Sequence, residues 1–133
     1  MTEQWDVIIV GGGAAGLSAA LTLGRASRRV LVVDAGEPRN RFASHMHGVL
    51  GHEGLDPADL LRRGREEASL YGVAFVSDQV VAVDEGDRGL SVQLAGGETI
   101  LARAVIVASG MTDELPDVDG LAEHWGTGVL HCP

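Results

Sequence analysis

Three glycines, one aspartate, a histidine pair and one cysteine are the residues whose types and spacing point to chemistry. Gly11, Gly13 and Gly16 form G-x-G-x-x-G, and Asp34 follows Gly16 by 18 residues. A glycine turn of this kind brings backbone N–H groups up to an anion without needing a cation. Gly11 permits the tight turn, Gly13 lets backbone approach phosphate, and Gly16 lets a helix lie close on a sheet. Gly12, Ala14 and Ala15 complete the turn and the start of that helix. An acid at the distance of Asp34 accepts hydrogen bonds from ribose hydroxyls, and its charge disfavours a 2′-phosphate. Together these residues describe a site for the ADP half of a dinucleotide. His45, His47, His52 and Glu53 could be metal ligands, but H-x-H is followed here by Gly-Val, and loop histidines bonded to backbone or solvent are the plainer reading. Cys132 is the single cysteine, a candidate thiolate.

The elements needed to hold these residues are legible on either side of them. Residues 7–10 (VIIV) are a continuous β-branched run, as in a strand covered on both faces. The turn opens a helix over about 14–25 with a small-residue face, and 30–33 is a second strand ending at Asp34. That is a βαβ unit. Residues 35–55 form a long irregular loop, the place for cofactor or substrate contacts; Asn40 lies early in it, and Ala35 at its start. Asp56-Pro57 starts a helix running to about residue 71, with Leu60, Leu61, Ala68 and Tyr71 on a buried side and Arg62, Arg63, Arg65, Glu66 and Glu67 on a solvated one. Strand 73–76 follows. Next come runs at 80–84, 90–94 and 99–102, separated by EGDRG and AGGE and read as an antiparallel meander. A separate buried strand at 104–108 ends at Ser109-Gly110, and 111–133 reads mostly as loop, with an acidic run, Asp113 to Asp119, on a solvated face. The fold class is α/β: a Rossmann-like parallel sheet with an inserted antiparallel meander.

Composition narrows the partners. Ten Arg with no Lys against nineteen Asp plus Glu give a net charge of −9, which argues against nucleic acid or an anionic membrane as partner. The absence of lysine rules out a Schiff-base lysine and a Walker-type phosphate loop. One cysteine allows no internal disulfide and fits a reducing compartment; the N-terminal residues carry no basic segment before a run too short to span a bilayer. The expected location is cytoplasmic.

The segments DVIIVGGGAAGLSAALTLGRA, VLVVDAG and the later ASG resemble the two-dinucleotide-binding flavoproteins, and among them the thioredoxin-reductase-like branch of the pyridine nucleotide–disulfide oxidoreductases. The resemblance covers the whole chain. It implies that the first glycine motif binds FAD, with Ala20 fitting the flavin version. It further implies that Val81 holds the adenine through backbone, that Asn40 contacts the flavin, and that Ala108-Ser109-Gly110 closes over the cofactor. His45 and His47 become candidates to tune the flavin or move a proton. SHMHGVLGH at 44–52 replaces the Glu-Asn-Tyr/Trp-Pro-Gly of many reductases and looks more like the reductase-like flavoproteins and dithiol oxidases. Cys132 corresponds to the first cysteine of a Cys-x-x-Cys pair. Residues 1–133 are then expected to be the N-terminal part of an FAD-binding domain, truncated before the nicotinamide domain and the C-terminal flavin segment, with an incomplete sheet. The complete protein would pass electrons between NAD(P)H, FAD and the cysteine pair, act on a disulfide or dithiol substrate, and form a homodimer; this chain alone would be inactive. The alternatives are a stand-alone dinucleotide-binding module without catalysis, or another two-domain flavoenzyme of monooxygenase or amine oxidase type.

Overall fold

The computed structural model describes residues 3–130. Strand β1 (Trp5–Val10) leads through the glycine turn into helix α1 (Ala14–Arg25), and β2 (Val30–Asp34) returns parallel to it, with Val7 opposite Val30 and Val10 opposite Val33. After a long loop, α2 (Pro57–Ser69) leads to β3 (Ala74–Ser77), which pairs parallel with β2. Then come β4 (Val80–Gly86), β5 (Gly89–Leu94) and β6 (Thr99–Val107), and a one-turn helix α3 (Leu121–His124). One sheet has the order β3-β2-β1-β6-β5-β4.

The sequence divides 99–108 into two strands; the structure has one. The first half of β6 pairs antiparallel with β5, from Gln93 opposite Thr99 to Leu90 opposite Ala102. Its second half pairs parallel with β1, from Trp5 opposite Ala102 to Val10 opposite Val107. Ala102, fully buried, belongs to both ladders. The apparent break is Arg103. It interrupts the apolar run, but strand alternation turns it outward, where it donates to Asp6 at 3.3 Å.

The same alternation divides the core between the two sheet faces. Val7, Ile9, Val30 and Val32 pack with Ala20 of α1 and Ala68 of α2, whereas Ile8, Leu31 and Val33 pack with Val92 and Leu94 of the meander and Ala102. Ile8, Ile9, Val30 and Val32 are fully buried. Each stabilises the fold by about 1.5–3 kcal/mol through area removed from water. The helices meet where Gly64 of α2 faces Leu17 of α1; a Cβ there would stand 3.0 Å from Leu17 Cδ1. The outcome on α2 differs from the sequence reading at two positions. Tyr71 lies beyond the helix and is exposed rather than buried. Arg65 leaves the solvated face for the site, as described below.

Candidate functional site

Strands β1, β2 and β6 run parallel, so their C-terminal ends finish at one edge of the sheet. The chain leaves β1 toward one neighbour, β2, and β6 returns on the other side, which makes a switch point where α/β folds bind ligands. A cavity of about 770 Å³ lies there. Its wall combines Gly11 to Ala14 after β1, Asp34 and Ala35 at the end of β2, Asn40 in the long loop, Val81 in β4 and Ala108 to Gly110 after β6. Eleven of the fifteen residues expected to hold a cofactor therefore line one cavity. Ala15 and Gly16 do not. Ala15 is exposed on the first turn of α1, and Gly16 is buried beneath it.

The glycines differ in what surrounds them. Gly11 has φ +107°, and a Cβ there would overlap the Ala108 carbonyl, so only glycine lets the ends of β1 and β6 come together. Their approach is sealed by Ala108 N–H donating to Val10 O at 2.7 Å. A Cβ on Gly16 would overlap the Gly11 carbonyl, whereas in front of Gly13 nothing lies within 4 Å. Gly13 is also the N-cap of α1, with no side-chain cap and no acid in the first turn. By contrast α2 is capped internally, Ala58 N–H donating to Asp56 Oδ1 at 2.8 Å. The N–H groups and positive dipole end of α1 thus face open space, the condition for binding a phosphate.

Asp34 is engaged more fully than the sequence suggests. Gly12 and Gly36 both donate their N–H groups to Oδ1 at 3.2 Å, and Arg65 donates to Oδ2. Arg65 therefore corrects the reading that placed it on a solvated face. The signal was periodic: Leu61, Arg65 and Ala68 stand at i, i+4 and i+7, and Leu61 lines the cavity while Ala68 is buried. Arg39 likewise donates through Nε and Nη2 to Asp113, at 3.1 and 2.7 Å. That pair joins the loop after β2 to the segment after β6, and it removes Asp113 from the solvated acidic run. Nothing in local spacing signals a pair 74 residues apart. Residues 78–80 and Val83 also line the cavity and were not singled out by the sequence.

His45 and His47 stand on a second cavity of about 510 Å³, with Phe42, Met46, Pro57 and Trp125 among its other walls. Asn40 lines both cavities, so the two adjoin. His47 Nδ1 stands 2.8 Å from Glu53 Oε2, and because an ionised carboxylate only accepts, Nδ1–H is the donor. Glu53 Oε1 accepts the Gly48 N–H at 2.8 Å. These two bonds, the His47 one foremost, hold the Glu53 carboxyl below the ordinary glutamate value. Among the described residues no group of three or more His, Cys, Asp or Glu side chains is arranged to hold a metal. Cys132 lies outside the described residues.

The family profile described as pyridine nucleotide-disulphide oxidoreductase matches residues 5–133. A probable thioredoxin reductase of Arthroderma benhamiae is 34% identical over 98% of this chain and 34% of its own length. The thioredoxin reductase of Bacillus subtilis is 32% identical over 99% of this chain and 43% of its own. The crystal structure of an oxidoreductase from Agrobacterium tumefaciens superimposes with a TM-score of 0.92 at 46% identity, covering 98% of this chain and 45% of that one. The chain thus spans less than half the length of these relatives. Because the profile matches nearly the whole chain, this chain belongs to the pyridine nucleotide-disulphide oxidoreductase family, on its thioredoxin-reductase-like side.

Proposed function

We propose that this chain is the N-terminal, FAD-binding portion of a flavin-dependent NAD(P)H oxidoreductase that acts on a disulfide or dithiol substrate through a cysteine pair. The observation that carries this reading is the single cavity joining the open N-terminus of α1 to Asp34, Val81 and the Ala108–Gly110 turn. Its size lies within the range of cofactor sites. The fit is chemical as well as spatial. A diphosphate needs donors that come close, and the space before Gly13 allows the α1 N–H groups to serve. Asp34 supplies a carboxylate oxygen for ribose. Val81 and Val83 are exposed on the cavity wall and offer apolar contact to adenine, with Val81 also presenting edge-strand backbone.

FAD, when bound, supplies the hydride exchange with a nicotinamide that no amino-acid side chain provides. The chain's own residues bind and orient it. Asn40 lines both cavities, which supports assigning it to the flavin end; His45 and His47 line the second cavity, where an imidazole can hold or move a proton. Cys132 is assigned as one member of the redox pair. Its partner in the pair is not among residues 1–133. NAD(P)H as reductant, a homodimeric complete protein and a cytoplasmic setting belong to the same proposal; among the described residues no helix is long and apolar enough to cross a membrane.

The test is extraction of the nucleotide that copurifies with, or is reconstituted into, the chain. Chromatography of the heat-released ligand is expected to give FAD. Recovery of NAD with no flavin would overturn the assignment.

A further inference from the structure

Asp34 carries more partners than a ribose acceptor requires. Its Oδ1 takes two backbone N–H groups, from Gly12 and Gly36, and its Oδ2 takes Arg65. A carboxylate has about four lone-pair sites, so three are occupied and one, on Oδ2, is left for a ligand. Arg65 sits on α2 between Leu61, which lines the cavity, and Ala68, which is buried in the core. Arg65 is not part of the cavity wall, whereas Asp34 is. The guanidinium also lies over Phe75 of β3, 5.5 Å from the ring centroid, and Phe75 packs against the core. Two elements of the scaffold therefore fix the group that fixes Asp34.

We propose that Arg65 is a positioning residue of the nucleotide site. It holds the Asp34 carboxylate in one orientation, leaves Oδ2 open to one ribose hydroxyl, and offsets the carboxylate charge beside the incoming diphosphate. The inference deepens the dinucleotide reading above and rests on it. Without Arg65 the carboxylate turns about its last side-chain torsion and meets the diphosphate as an uncompensated like charge. Lysine keeps the charge but not the planar fork, so it restores only part of the effect. Glutamine keeps part of the stem and removes the charge.

A double-mutant cycle on the full chain tests this, with ADP and FAD as separate probes in binding titrations. Arg65→Ala is expected to weaken both ligands about tenfold, the scale of one charge-assisted hydrogen bond. Arg65→Lys is expected to lose less, and Arg65→Gln as much as alanine. In an Asp34→Asn background, Arg65→Ala is expected to change affinity less than about twofold, because the group it acts through is gone. Thermal unfolding of each ligand-free variant reports separately on the fold. Equal losses in both backgrounds, or no loss in the first, would overturn the role of Arg65. ADP coupling without FAD affinity keeps Arg65 and sinks the flavin reading; FAD affinity without coupling does the reverse.

Discussion

Glu53 and His47 show how single side chains set the geometry of the long loop. Glu53 accepts from His47 Nδ1 and from the Gly48 N–H, both at 2.8 Å, and these bonds lower its proton affinity relative to an unfolded chain. The sign follows from linkage: a depressed carboxyl contributes stability that is present above its ordinary value of 4.5 and fades as pH falls through the lower folded value. Protection of the Gly48 amide against hydrogen exchange is therefore expected to hold at neutral pH and weaken below about pH 4.5. In Glu53→Gln that acid-side transition is expected to vanish. The same transition in the variant would show that another group governs the loop. At this scale the glycine motif was legible in the sequence because its spacing belongs to one tight turn, in which a Cβ on Gly11 or Gly16 would overlap backbone and Gly13 is left open. Arg65 was not, because a charged residue among other charged residues reads as surface until its place on the stripe of Leu61 and Ala68 is taken into account.

Among the elements, β6 joins the two halves of the architecture. It continues the meander through β5 and closes the parallel sheet through β1, with Ala102 at the change of partner. The meander and the parallel strands were both legible from their alternation and turn residues. Their union in one strand was not, because Arg103 has the appearance of a break and pairing partners are not encoded locally. The loop after β2 and the segment after β6 show the same limit. Both flank the cavity, and Arg39–Asp113 ties them across 74 residues of chain. Solvent still reaches both side chains, so the pair is expected to contribute about 1 kcal/mol rather than the full value of a buried one. Arg39→Ala is expected to speed limited proteolysis within residues 37–50 severalfold and to leave the melting temperature within a few degrees. Unchanged cleavage in the variant would show that the two loops do not depend on this contact.

The whole molecule binds, on this account, a polyanion with a chain of net charge −9 and no lysine. That is physically consistent because the site uses backbone N–H groups and a helix terminus rather than a basic patch. The order strand, glycine turn, helix, strand and acid is what put the candidate site at the ends of β1 and β2, a position that composition does not carry. The long loop was expected to be functional only from its length. Its histidines share a second cavity with Pro57 and Trp125, adjoining the first at Asn40, and no local pattern carries that. One cavity at the end of β1, β2 and β6 is proposed to hold FAD, with its diphosphate at the start of α1. A crystal structure of the chain with FAD tests it most directly. The diphosphate is expected against the N–H groups of Gly13 and the first turn of α1, with ribose on Asp34 and adenine beside Val81. Flavin bound elsewhere, with the space before Gly13 filled only by solvent, would contradict it.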